Sequence, residues 1–157
     1  MKTMQQWLDE YGESHKNATN KLIHFICVPV IFFTVVGLLH GIKLPFQFSF
    51  LGGIQLSVSM VILVLVFLYY VVLSVPISVG MFFYSIVCVS LSEYIERLDF
   101  MPLWLFCSII FVAAWIGQFY GHNIEGKKPS FLKDLQFLMI GPAWIMSFIL
   151  GKAGIKY

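Results

Sequence analysis

Charge is scarce in this chain. Asp, Glu, Lys and Arg make up 11% of its 157 residues, whereas soluble domains carry about 25%. The formal net charge of +2 is too small to favour nucleic acid. Neither a basic tract with interleaved aromatics nor a Gly-rich phosphate loop occurs, so nucleic-acid binding and P-loop chemistry are excluded. Cysteine is sparse as well. Cys27, Cys88 and Cys107 each lie inside an apolar run, and no CxxC occurs. That excludes a disulfide framework and a thiolate metal site, and the three read as small buried hydrophobes. A secretory signal is also missing. Asp9, Glu10 and Glu13 precede the first apolar stretch, and no small-residue cleavage site follows it. The first hydrophobic segment is therefore expected to stay in the mature protein.

What the chain has instead is hydrophobic residues, 59% of the total with 16 Phe, and a mean hydropathy of +0.86. The expected fold is an all-α integral membrane protein, a multi-pass bundle of about five hydrophobic helices (four to six). Residues 1–157 form a single membrane domain. Residues 1–20 read as an interfacial or cytosolic N-terminal helix, with Trp7 and Tyr11 as headgroup anchors. The bundle covers 22–150, with apolar segments at about 22–40, 54–73, 76–92, 103–120 and 135–150. A spanning helix needs about 20 apolar residues. The first four segments qualify. The fifth is short and broken by Gly141-Pro142, so whether it crosses is open. Ser74-Val75-Pro76 makes segments two and three a hairpin, and 92–102 reads as a solvated polar loop ending at Pro102.

Lysine and arginine set the orientation. If all five segments cross, one side holds Lys2, Lys16, Lys21, Lys127, Lys128 and Lys133, and the other holds Lys43, Arg97, Lys152 and Lys156. If the fifth does not cross, Lys152 and Lys156 join the first group. Either count makes that first side cytoplasmic. His15, His24, His122 and Glu125 fall on it, and His40 falls on the other.

Those three histidines are the candidate metal ligands, because ionisable groups at the edge of a membrane bundle are costly to keep there. His15 and His24 are nine residues apart. On one straight helix that is about 13.5 Å of rise and about half a turn out of phase, so a shared metal needs a break between them. Asn17-Ala18-Thr19-Asn20 offers one, since Asn and Thr favour caps. Asn20 and His24 then share a face. Gln118, His122 and Glu125 fall on one helical stripe, and Gly126 and Pro129 end that helix. Glu125 is either a fourth ligand or an acceptor that fixes an imidazole tautomer. Asn20 and Gln118 are candidates to orient ligands or substrate, and Tyr11, four before His15, can reach the site. Imidazoles with a carboxylate suit a non-haem ferrous ion that activates oxygen. They equally suit zinc in a hydrolase.

The pattern His15, Asn20, His24 and Pro29 resembles the N-terminal signature of the Mpo1-like family. Trp115, Gln118, Gly121, His122, Glu125 and Pro129 resemble its second signature, and Gly141-Pro142 a weaker third. The resemblance runs from Trp7 to about Leu150. It implies an Fe(II)-dependent dioxygenase of fatty-acid α-oxidation. Such an enzyme shortens a 2-hydroxy long-chain fatty acid by one carbon with molecular oxygen, in a bacterial inner membrane or the endoplasmic reticulum. On that reading His15, His24 and His122 hold the iron and the acyl tail lies in the lipid bilayer. Lys16, Lys21 or Lys127 would attract the substrate carboxylate or anchor the chain. Two other classes compete. A non-catalytic transporter or lipid-binding scaffold would bind no iron, and a bis-His haem protein would use His24 and His122 as axial ligands. Diiron lipid hydroxylases need HxxxH and HxxHH boxes, which this chain lacks.

Overall fold

The computed structural model describes residues 2–48, 54–126 and 137–157. A short helix α1 (Met4–Gly12) leads into the long α2 (Ala18–His40). Strands β1 (Lys43–Phe48) and β2 (Ile54–Ser57) follow, then α3 (Val58–Leu73), α4 (Val75–Leu98), α5 (Leu103–Glu125) and α6 (Ile140–Lys152). The all-α membrane bundle is thus present, with one small hairpin added.

Local chemistry sets the boundaries. Thr3 caps α1 through a reciprocal capping box with Gln6. Asn17 caps α2 by accepting from the Thr19 and Asn20 amides, so the break expected at 17–20 forms earlier, at 13–17, with His15 inside it and Ala18 already helical. Ser74 caps α4, with Pro76 in its first turn, where proline loses nothing. Gly126 ends α5 at φ 73°, the left-handed conformation that glycine adopts without strain.

Among the described residues three helices, α2, α4 and α5, are long and apolar enough to cross a membrane. That is one fewer than the sequence suggested. Residues 54–57 pair with β1 instead of extending the second apolar segment, which leaves α3 with 16 residues. Pro45 has no amide hydrogen to give a ladder, and the register is irregular between Lys43 and Gln47. The expected polar loop at 92–102 is also shorter. Helix α4 continues to Leu98, and its charged residues form one solvated end of the helix.

The outer surface is apolar. Leu65, Val72, Phe83 and Ile116 are each more than 60% exposed, which lipid tolerates and water does not. Inside, α2 and α5 approach closely along small residues. A Cβ on Gly121 would lie 2.4 Å from Asn20 Oδ1, and one on Gly117 would lie 2.9 Å from Cys27 Sγ. Helix α6 has 13 residues, too few for a spanning helix of about 20. It runs along α1. Gly141 sits under Tyr11, and Gly151 and Lys152 share a groove with Gln5, Leu8 and Asp9.

Candidate metal centre

The α1–α2 connector, the first turns of α2 and the last turns of α5 meet at one end of the bundle. Each supplies a histidine. His15, His24 and His122 are 3%, 1% and 5% exposed. Each offers a ring nitrogen, and these nitrogens all lie within 4.8 Å of one another. The ring centroids are 4.2 Å apart for His15–His24, 4.8 Å for His24–His122 and 5.5 Å for His15–His122. The sequence expectation for these three is met in space, and His40 lies at the far end of α2, as expected.

Two rings are oriented by main-chain carbonyls. His15 Nδ1 donates to the Tyr11 carbonyl at 2.7 Å, and His24 Nδ1 donates to the Asn20 carbonyl at 3.0 Å. A carbonyl only accepts, so Nδ1 of each ring carries a proton, and in the neutral ring Nε2 carries the lone pair that a metal would take. The Tyr11 ring stacks on His15 at 4.3 Å and 16°. Trp144 of α6 packs against both, 5.3 Å from each ring.

Glu125 is placed differently from its histidine neighbour. Its Oε1 accepts from the Lys16 amide at 2.9 Å. Its Oε2 accepts from the Asn17 amide at 2.9 Å and from Asn20 Nδ2 at 3.0 Å. The carboxylate therefore closes the α1–α2 connector onto the end of α5 and does not belong to the group of converging ligand atoms. Asn20, fully buried, also donates to the Ser14 carbonyl at 3.1 Å. Gln118 is 6% exposed and lines a cavity of about 20 Å³ with His24, Tyr11, Val28, Ile31 and Trp115. That cavity is polar at its histidine end and apolar deeper between α2 and α5. Lys16 lies at the rim. A hydrogen bond donated to Glu13, then the charge of that carboxylate, hold the Lys16 amine above its ordinary value, so it stays cationic.

The site contains a residue the sequence reading passed over. Trp144 was hidden in the short fifth segment, and its only signal was the Gly141-Pro142 break two residues earlier. Gly141 allows the close approach, because a Cβ there would be 3.1 Å from Tyr11 Oη. Pro129 and Lys127, Lys128 and Lys133 lie outside the described residues.

Residues 1–153 match the family described as 2-hydroxy-palmitic acid dioxygenase Mpo1-like. The chain belongs to the Mpo1-like family. Over 155 residues it is 29% identical to the protein of Saccharomyces cerevisiae named 2-hydroxy-palmitic acid dioxygenase MPO1, covering 96% of this chain and 82% of that one. No solved structure matches. Membership extends over all three helical contributors to the histidine cluster, so the cluster lies within what the Mpo1-like match covers.

The donor set fits a transition metal. Three neutral imidazoles suit iron, zinc, copper or nickel, and they leave coordination positions for substrate. Among the described residues no carboxylate joins the converging ligand atoms, which are three histidine nitrogens.

Proposed function

We propose that the chain is a ferrous-iron-dependent dioxygenase that shortens a 2-hydroxy long-chain fatty acid by one carbon. The observation that carries this is the convergence of three buried histidines from three separate segments at one end of an apolar bundle. Burying three imidazoles together is costly unless a shared partner compensates. The family description and the name of the yeast relative, both a dioxygenase, support an oxygen-activating metal, and ferrous iron is our choice among the metals that suit the set.

His15, His24 and His122 hold the metal. When bound, ferrous iron supplies dioxygen activation and a Lewis-acid centre for a hydroxy-carboxylate head. The protein residues supply the rest. The carbonyls of Tyr11 and Asn20 hold two rings in the ligating tautomer. Gln118 orients the substrate head from the cavity wall. Asn20 and Glu125 hold the connector that carries His15. The cavity, polar at His24 and apolar at Val28 and Ile31, has room for about one water-sized group beside the histidines, and the acyl tail is left to the apolar outer surface of the bundle.

The histidine end faces the cytoplasm. Lys2, Lys16, Lys21 and Lys152 lie toward that end and Lys43 and Arg97 toward the other, the bias that positive-inside insertion favours.

The test uses detergent-purified protein. Iron is measured by elemental analysis, and ferrous iron with 2-hydroxypalmitic acid is then supplied under oxygen. The expected product is the acid one carbon shorter, with stoichiometric oxygen uptake. Wild-type activity in His24→Ala or His122→Ala overturns the site assignment. A wild-type protein that binds no iron and consumes no oxygen overturns the activity.

A further inference from the structure

A second polar constellation lies at the opposite end of α2, 16 residues and about 24 Å from His24 along the helix. His40 is fully buried. Its Nε2 lies 2.9 Å from the Lys43 ammonium and 3.0 Å from Glu93 Oε1. The same ammonium lies 2.9 Å from Glu96 Oε2 and 3.6 Å from Glu93 Oε1. His40 Nδ1 lies 3.1 Å from Ser57 Oγ, which contacts Ser59 Oγ at 2.9 Å. Arg97 is 3.8 Å from Glu93 Oε2. Among the described residues, these are the charged and titratable groups that face the ring from β1, β2, α3 and α4.

The two close partners of Nε2 make incompatible demands. An ammonium only donates, so Lys43 needs a lone pair on Nε2. A carboxylate only accepts, so Glu93 needs a proton there. One nitrogen satisfies one of them at a time. The other side of the ring is indifferent, because the Ser57 hydroxyl can donate or accept. The partly exposed notch between His40 and the Glu93 and Glu96 carboxylates therefore holds one cation in either state: the Lys43 ammonium beside a neutral His40, or a protonated His40 with Lys43 displaced by like charge.

We infer that His40 and Lys43 form a proton-driven cation exchange that ties and releases the β1–β2 hairpin at the face opposite the metal centre. Lys43 opens β1, so its place in the notch fastens the hairpin to α4. When His40 takes a proton it donates to Glu93, and Lys43 leaves for water with the strand that carries it. The released hairpin keeps the main-chain bond from Val58 N to Ile42 O and stays in place, with a loosened first strand. Because α2 joins the two ends of the bundle, the device reports acidity on the side away from the histidines that hold the metal. It stands independently of the proposed activity.

The experiment is hydrogen exchange of residues 42–48 in detergent between pH 8 and pH 5.5, corrected for intrinsic amide rates. In that window free carboxylates near pKa 4.3 stay ionised and histidine titrates. In wild type, exchange is expected to rise at least about threefold as pH falls. His40→Gln keeps Lys43 in the notch and gives slow, pH-independent exchange. Lys43→Met gives fast, pH-independent exchange, with the helices still protected. A flat wild-type profile overturns the inference. So does a His40→Gln or Lys43→Met variant that keeps the wild-type pH dependence.

Discussion

Asn20 of α2 and Glu125 of α5, 105 residues apart in sequence, are joined by a 3.0 Å hydrogen bond between buried amide and carboxylate. The same carboxylate accepts the main-chain amides of Lys16 and Asn17. One side chain thus ties the connector bearing His15 to the helix bearing His122. It fixes the relative position of His15 and His122 without joining the converging histidine nitrogens itself.

Replacing that carboxylate separates its two possible roles. Glu125→Ala removes the acceptor of two main-chain amides and of one Asn20 Nδ2 hydrogen, while Asn20 keeps its bond to the Ser14 carbonyl, and is expected to cost about 1–2 kcal/mol of stability. Glu125→Gln keeps one carbonyl acceptor and should cost about half as much. Iron content should persist in Glu125→Gln, as shown by elemental analysis beside thermal unfolding in detergent. Loss of iron with an unchanged melting temperature would instead make Glu125 a ligand.

The aromatic support of His15 gives a second prediction. Tyr11 stacks on the ring and its carbonyl holds Nδ1. Tyr11→Phe keeps both the stack and the carbonyl, so metal affinity should stay within about threefold of wild type. Tyr11→Ala removes the stack and opens space beside Trp144. It should weaken metal binding by about 10- to 100-fold, as loss of support around ligating histidines does. Competition with a metal chelator measures both variants.

Much of this arrangement was legible in the sequence because membrane topology is a strong constraint. Apolar runs gave the helices, and sorting their ends placed His15, His24 and His122 together. Asn17 and Gly126 announced the helix boundaries through cap chemistry. The parts that stayed hidden depend on tertiary pairing. One-turn spacing put Glu125 on the stripe with His122 but could not show that its oxygens turn to the Lys16 and Asn17 amides. Ile54–Ser57 is apolar enough to read as helix, and only its pairing with β1 makes it a strand. His40 looked like an isolated interfacial residue until Glu93 and Glu96, one helical turn apart on α4, were brought to it.

The α2–α5 seam predicts a contrast between two glycines. A Cβ on Gly121 would sit 2.4 Å from Asn20 Oδ1, on a buried and hydrogen-bonded side chain. Gly121→Ala should therefore cost about 1–3 kcal/mol from overpacking and lower metal retention by shifting Asn20. A Cβ on Gly151 in α6 meets nothing within 4 Å. Gly151→Ala should leave metal binding alone and add about 0.5–1 kcal/mol through reduced backbone freedom. Unfolding curves and iron content of the two variants, measured together, check the seam.

Gln118 provides the sharpest division between holding the metal and handling the substrate. It lies one helical turn before His122 and lines the cavity beside His24 and Tyr11, yet it carries no charge. Gln118→Leu preserves much of its volume and removes the amide. If the amide orients the hydroxy-carboxylate head, iron content and melting temperature should match wild type. The value of kcat/KM for 2-hydroxypalmitic acid should fall by about 100-fold, the scale on which misplaced reactants lose rate. Gln118→Glu tests the sign of the interaction, because a carboxylate there would repel the carboxylate of the substrate while keeping the side chain's reach. Its kcat/KM should be at least as low as that of Gln118→Leu, mainly through KM. Parallel loss of iron and activity in Gln118→Leu would move the residue from substrate orientation to support of the metal site.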